Sequence, residues 1–185
     1  MERQKTRIDN MAKQLIPSKN DPDKDRIYTP DPLALAIVEH FQPKGTVLDP
    51  CSGGGAFLRA FDNFSGANNV SPYGLELDNG QNFLEDDITA YKVPSHVNWL
   101  ITNFPWSKFR PFLKRGMVVA DNIVSLSTIN HILALRARLR DIKEAGFFIR
   151  EVRYCETPKS WSQSGFQVGA ILLTKEPGPC IIDDL

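Results

Sequence analysis

The sequence predicts a doubly wound α/β fold, with a mostly parallel seven-stranded sheet and one antiparallel strand near an edge. Apolar runs typical of buried strands alternate with segments whose apolar residues recur at helical spacing. A glycine-rich turn joins the first strand to the following helix, which is where such sheets place a ligand crevice. The last two strands flank a Ser/Gly/Pro-rich loop at residues 157–165, which predicts an antiparallel hairpin.

The predicted elements begin near residue 28. The helices are predicted at residues 31–41, 55–64, 108–120 and 131–145. The strands are predicted at residues 45–49, 73–78, 82–88, 99–102, 122–127, 147–154 and 167–174. Residues 1–26 are polar and predict a flexible arm, with a short helix near residues 11–16. Residues 27–176 then form one folded domain, and residues 177–185 form a tail.

Composition excludes several classes of protein. The 185 residues carry 22 basic and 22 acidic side chains, which argues against coating nucleic acid by bulk charge. The basic residues are nevertheless clustered, in 108–115 and 136–143, so a local basic face is possible. No apolar run could span a bilayer and no secretory signal starts the chain, which predicts a cytoplasmic protein without membrane contact.

The cysteines indicate neither a disulfide framework nor a metal site. Cys51, Cys155 and Cys180 are odd in number and lack CxxC spacing. They are typical of reduced thiols in an intracellular protein, and no metal is predicted.

Residues 49–57, with the sequence DPCSGGGAF, form the most informative segment. Glycines at this position let the backbone approach a ligand and take positive φ values. The spacing differs from the GxGxxG dinucleotide pattern. About 20 residues later, Glu76 ends the second predicted strand, where a carboxylate can accept hydrogen bonds from both hydroxyls of a ribose. Asp78 is an alternative for this role, although its position relative to the strand is less favourable.

A tetrapeptide, Asn103-Phe104-Pro105-Trp106, follows the fourth predicted strand and resembles motif IV of the N6-adenine methyltransferases. This resemblance implies an aromatic amine as the methyl acceptor. An aromatic amine is a poor nucleophile because its lone pair is delocalised into the ring. The Asn103 side-chain oxygen and the Phe104 carbonyl could each accept one amine hydrogen and so localise that lone pair. Pro105 would shape the turn, and Trp106 would offer a flat face to a base extruded from its stack.

These segments together resemble the S-adenosylmethionine-dependent N6-adenine methyltransferases. The first resembles their motif I, D-P-x-x-G-x-G-x-F, and the tetrapeptide resembles their motif IV, N-P-P-[YFW], with Phe104 in place of the first proline. Tyr28-Thr29-Pro30 resembles their motif X, which precedes the cofactor motifs in the gamma arrangement. The resemblance covers about residues 28–174 and implies a Rossmann-like catalytic domain with S-adenosylmethionine as cofactor.

The resemblance also implies a set of site residues. Asp87 and Ile88 would lie beside the adenine of the cofactor, although Asp86 is close enough to take that role, and Thr29 would bind the cofactor carboxylate. The implied cofactor-binding residues are Tyr28, Thr29, Asp49, Pro50, Cys51, Gly53, Gly55, Phe57, Glu76, Leu77, Asp87, Ile88 and Asn103. The catalytic residues are Asn103, Phe104, Pro105 and Trp106, and those expected to contact substrate are Trp106, Lys108, Arg110, Trp161 and Phe166. For Trp161, packing on the target base and simple edge packing remain equal alternatives.

The implied activity is methylation of the adenine N6 amine in nucleic acid, with DNA favoured over RNA. Relatives with N-[LI]-P-[YF] act on ribosomal RNA, so Phe104 keeps the RNA alternative open. An inactive cofactor-binding or nucleic-acid-binding partner is a third interpretation, and methylation of a protein glutamine is a fourth. A separate target-recognition domain is not expected within 185 residues, so loops or a partner subunit would recognise the target.

Overall fold

A computed structural model of the chain describes residues 27–161 and 165–185. The predicted arm at residues 1–26, with its short helix, lies outside the described residues. In chain order the elements are α1 (Asp31–Phe41), β1 (Gly45–Asp49), α2 (Ala56–Asn63), β2 (Val70–Gly74), β3 (Val97–Thr102), α3 (Phe109–Val119), β4 (Ala120–Thr128), α4 (Asn130–Leu133), α5 (Arg136–Glu144), β5 (Phe148–Cys155), β6 (Val168–Thr174) and β7 (Ile181–Asp184).

The strands form one seven-stranded sheet in the order β2-β1-β3-β4-β6-β5-β7. All neighbouring pairs are parallel except those made by β6, which runs antiparallel to both β4 and β5. This confirms the predicted fold class and the predicted hairpin. The antiparallel strand lies third from the β7 edge.

Apolar residues on both faces of the sheet anchor the helices. Helix α1 buries Ala34, Ile37 and Val38 in a cluster that also contains residues of α2. Helix α3 buries Phe109 and Leu113 in a second cluster. Because each face of the sheet is covered, the central strands β1, β3 and β4 are mostly buried, as parallel strands require.

The strand predicted at residues 82–88 is wrong, because this segment forms turns instead. Its polar side chains bond to nearby main-chain groups: Asn82 Oδ1 accepts from Leu84 N (3.1 Å), and Asp86 Oδ2 accepts from Asn82 N (2.7 Å). Asp87 Oδ1 likewise accepts from Thr89 N (2.9 Å). Local bonds of this kind compete with strand pairing, so the apolar residues between them do not make a strand.

Three further elements differ from the prediction. The strand predicted at residues 73–78 is β2 at Val70–Gly74, so Glu76 follows this strand instead of ending it. The helix predicted at residues 131–145 is divided into α4 and α5, because Leu135 has an extended backbone and is 45% exposed instead of buried. The segment predicted as a tail contains β7, which pairs in parallel with β5 through residues such as Ile182 and Val152. All four β7 residues are exposed, so β7 has no buried-strand signature in the sequence.

Candidate cofactor and substrate site

A cavity with a volume of about 1000 Å³ lies at the carboxyl ends of β1 and β3. From β1 the chain crosses to β2 on one side and then to β3 on the other, so this end of the sheet is a topological switch point. Twelve of the predicted site residues line the cavity: Tyr28, Thr29, Asp49, Pro50, Cys51, Gly53, Phe57, Glu76, Leu77, Asn103, Pro105 and Lys108.

Asp49 is a buried carboxyl group at the end of β1, only 1% exposed. Its Oδ1 accepts hydrogen bonds from Thr102 Oγ1 (2.7 Å) and Cys51 N (3.2 Å). Burial raises the pKa of Asp49 to about 7, and the charge of Glu76 adds to the increase. Burial also raises the pKa of the Cys51 thiol well above its usual range, so Cys51 is not a nucleophile near neutral pH.

The glycine-rich turn is held to the following segment by Glu76. Gly53 N donates to Glu76 Oε2 (2.5 Å), and Asp78 N donates to Glu76 Oε1 (3.3 Å). Each oxygen keeps a second lone pair for another donor. Gly55 does not line the cavity; its φ of 77° lets it precede α2 in the left-handed conformation.

Residues 27–29, here called the N-terminal strap, line the cavity beside the glycine turn. The ring of Tyr28 lies over Gly53, where a Cβ atom would come within 3.3 Å of two ring carbons. Ile27 O accepts from Asn103 Nδ2 (3.0 Å), and Thr29 Oγ1 is 3.5 Å from the same nitrogen. The strap therefore contacts both the glycine turn and the tetrapeptide after β3.

The Asn103 carboxamide is engaged at both ends. Nδ2 faces the strap, while Oδ1 accepts from the indole Nε1 of Trp106 (3.3 Å). The reverse assignment of the amide would place a donor against the indole N–H and an acceptor against Ile27 O. Oδ1 keeps one lone pair for a further donor, and Asn103 lines the cavity.

The other tetrapeptide residues divide between the core and the rim. Phe104 is 1% exposed and packs edge-on against Phe109, with a ring-centre distance of 5.6 Å. The side chain that replaces the first proline of N-P-P-[YFW] is therefore a core residue. Pro105 lines the cavity, and Trp106 is half-buried with its indole nitrogen beside Asn103.

Two residues predicted to bind the cofactor adenine, Asp87 and Ile88, do not line the cavity. The Asp87 carboxylate accepts from Thr89, which lowers its pKa. Ile88 is buried in the core, and Asp86 is bonded to Tyr91. The geometry therefore does not support the adenine-contacting role predicted for Asp87 and Ile88.

In the segment after Glu76, the cavity is lined by Leu77, Asp78, Asn79, Gln81, Asn82, Phe83, Leu84 and Glu85. Phe83 stacks on Phe112 of α3, with ring centres 5.8 Å apart, and both rings line the cavity. Arg115 donates to the carbonyls of Leu84 and Asp86 and so ties the segment to α3. No motif or spacing in the sequence indicated these roles of Phe83, Phe112 and Arg115.

Four of the five predicted substrate contacts do not line the cavity. Trp106 is half-buried, and its ring packs against His131 and Trp161. Arg110 forms a two-point ion pair with Asp141, with Nε 2.6 Å from Oδ2. Trp161 is only 6% exposed and donates from Nε1 to Tyr28 O (2.9 Å), so it has the packed position that was one of its two alternatives. Phe166 is 56% exposed.

Within residues 27–161 and 165–185, no three His, Cys, Asp or Glu side chains come together in a way that could hold a metal ion. Every helix in this part of the chain is too short or too polar to cross a membrane. The cavity is lined by carboxylates, carboxamides, glycines, aromatic rings and the basic side chains of Arg59 and Lys108.

The raised pKa of Asp49 predicts a pH-dependent stability. The folded state keeps this proton up to about pH 7, whereas an unfolded aspartate loses it near 3.8. Folding therefore takes up a proton between these values, and the contribution of Asp49 to the free energy of unfolding falls as pH rises from 4 to 7. Chemical denaturation from pH 4 to 8 measures this effect. Between pH 4 and 7, the free energy of unfolding of Asp49→Asn should rise relative to that of wild type by on the order of 1 kcal/mol per pH unit. A constant difference between the two proteins would contradict the buried, protonated carboxyl.

Solved structures with the same architecture place this arrangement in context. A protein of Listeria monocytogenes assigned to the class I S-adenosylmethionine-dependent methyltransferases matches with a TM-score of 0.61 and 13% identity, over 90% of this chain and 68% of that one. The chain has the class I methyltransferase fold. The methyltransferase subunit of a type I restriction-modification system from Streptococcus thermophilus matches with a TM-score of 0.62 and 16% identity. The match covers 85% of this chain and 47% of that subunit. The M protein of the type I restriction enzyme EcoKI matches with a TM-score of 0.58 and 15% identity, over 83% and 44%.

This chain spans about half the length of those two restriction-modification subunits. No family model matches the sequence, and a search of curated proteins finds no similar sequence. At such identities the likeness establishes the fold, and the chemistry of the site depends on the residues themselves.

Proposed function

We propose that the chain is a methyltransferase that moves a methyl group from S-adenosylmethionine to the N6 amine of adenine in DNA. The observation that carries the proposal is the position of Asn103. Its carboxamide lines the same cavity as Asp49 and Glu76, and its oxygen retains a free lone pair. Asn103, which could accept a hydrogen bond from an amine, and Glu76, which could bind a ribose, therefore share one cavity.

The residues present fit S-adenosylmethionine. Glu76 can accept the ribose hydroxyls, and Phe83 and Phe112 offer a stacked apolar wall for a purine ring. Asp49 can pair with a cation once it is ionised, and the Thr29 hydroxyl, which lines the cavity, can donate to the cofactor carboxylate. The cofactor would supply an electrophilic methyl group on a positively charged sulfur.

The chain's own residues would prepare the amine. Asn103 Oδ1 accepts one N6 hydrogen, and the main-chain carbonyl of Phe104 accepts the other. These two bonds localise the nitrogen lone pair and direct it toward the methyl group. Trp106, beside Asn103, offers an aromatic face for an extruded base, and Lys108 at the cavity provides a positive charge for the phosphate backbone.

One observation favours DNA as the polymer. The two restriction-modification subunits of similar fold belong to systems that act on DNA, which supports DNA over RNA. Since such subunits are about twice as long, a partner subunit or further domain would supply target recognition. The substitution of Phe104 for proline is the observation that favours RNA.

Methyl-labelled cofactor tests the proposal. The protein is incubated separately with unmodified DNA, RNA and a protein extract, and the digested products are analysed by mass spectrometry. We expect label in N6-methyladenine from DNA. Label in RNA adenine would select the RNA alternative, and label in protein glutamine would overturn the adenine assignment. Cofactor binding without label in any sample would favour an inactive partner subunit.

A further inference from the structure

Trp161 is distant in sequence from the N-terminal strap and from the tetrapeptide, yet it contacts both. It is 6% exposed, and its indole Nε1 donates to the main-chain oxygen of Tyr28, 133 residues away (2.9 Å). Its ring also packs edge-on against Trp106, with ring centres 5.8 Å apart and an interplanar angle of 81°. One side chain therefore touches both the N-terminal strap and the tetrapeptide.

These contacts close a cycle around Asn103. The strap accepts from Asn103 Nδ2 through Ile27 O, and Trp106 donates to Asn103 Oδ1. Trp161 contacts the strap at Tyr28 and contacts the ring of Trp106. Both groups that determine the orientation of the Asn103 amide are thus supported by Trp161.

The same cycle reaches the cofactor side of the cavity. The Tyr28 ring, whose carbonyl accepts from Trp161, lies over Gly53 of the glycine turn. Gly53 in turn donates to Glu76 Oε2. A change at Trp161 would therefore move the strap relative to the glycine turn and the Asn103 amide relative to the cavity.

We propose that Trp161 is a positioning residue that couples the N-terminal strap at the cofactor cavity to the orientation of the Asn103 amide. The role of this coupling in methyl transfer rests on the proposed function. Trp161 itself does not line the cavity, so its effect is exerted through Tyr28 and Trp106. The indole N–H provides the bond to the strap, and the ring provides the packing against Trp106.

The test uses the full chain with Trp161→Phe, which keeps an aromatic ring and removes the N–H donor. Trp99→Phe is the matched control, because Trp99 is a half-buried tryptophan of β3 that does not line the cavity. The chain has three tryptophans, so each indole signal in a ¹H–¹⁵N spectrum can be assigned by substitution. We expect Trp161→Phe to shift the Trp106 indole and Asn103 carboxamide signals, and Trp99→Phe to leave both in place.

Cofactor affinity and the turnover rate provide the second measurement. We expect Trp161→Phe to raise the cofactor dissociation constant about fivefold and to lower kcat about tenfold, with a change in melting temperature no larger than that of Trp99→Phe. In a double-mutant cycle, Trp161→Phe should add little to the cofactor dissociation constant once Tyr28→Ala has removed the strap ring. Additive effects in that cycle would contradict coupling through the strap.

Unchanged Trp106 and Asn103 signals in Trp161→Phe would overturn the inference, as would kinetic losses equal to those of the control. If wild type bound no cofactor but the signals moved as expected, the proposed function would fail while the positioning of Asn103 by Trp161 would stand.

Discussion

Replacement of Asn103 by alanine is expected to lower the rate of methyl transfer by about 100- to 1000-fold, the range seen when one preorganised hydrogen-bonding group is lost from an active site. Asn103 Oδ1 is the side-chain acceptor that the proposed chemistry needs, and the strap and Trp106 hold it in place. The rate is measured in single turnovers with saturating labelled cofactor and DNA, so that weaker binding does not enter the result.

Asn98→Ala is the control for this experiment. Asn98 lies on the same strand, β3, but near its amino end, where its Oδ1 accepts from Thr46 N (2.9 Å). Asn98→Ala removes the same carboxamide group, but Asn98 does not line the cavity. A rate for Asn103→Ala that matches the rate for Asn98→Ala would show that the amide oxygen does not bind the reacting amine.

Glu76→Ala is expected to weaken cofactor binding about 100-fold, because two hydrogen bonds to a charged acceptor would be lost. The same substitution removes the bonds from Gly53 N and Asp78 N, so the glycine turn also loses a support. The dissociation constant is measured by calorimetry, and the melting temperature shows whether the fold is retained.

Asp78 provides the comparison for Glu76, since it also lines the cavity and was the alternative ribose ligand. Asp78→Asn is expected to weaken cofactor binding less than tenfold, because Asp78 is exposed and Glu76 is half-buried beside the glycine turn. A larger loss in Asp78→Asn than in Glu76→Ala would transfer the ribose-binding role to Asp78.

The framework of the site was predictable from sequence because its determinants are local. Strands β1 and β3 have short apolar runs, and each is followed directly by its functional segment, DPCSGGGAF or Asn-Phe-Pro-Trp. Parallel strands bring these carboxyl ends together whatever the details of the connections. Asp49, Glu76 and Asn103, which lie at or after the carboxyl ends of β1, β2 and β3, line one cavity.

The parts that were not predicted depend on contacts between distant residues or on competing local bonds. Residues 82–88 have strand-like apolar content, but Asn82 and Asp86 bond to the main chain and favour turns. The hydrogen bond from Trp161 to Tyr28 joins residues 133 positions apart, so no spacing in the sequence reveals it. Strand β7 is recognisable only from its pairing with β5, because all its residues are exposed.

The cofactor assignment underlies the proposed chemistry, and calorimetric titration of the wild-type protein with S-adenosylmethionine examines it without requiring the correct nucleic acid. We expect one cofactor molecule to bind per chain, with a dissociation constant on the order of micromolar that rises in Glu76→Ala, and no binding of NAD. A folded protein that gives no binding signal at millimolar S-adenosylmethionine would contradict the assignment of this cavity to the cofactor.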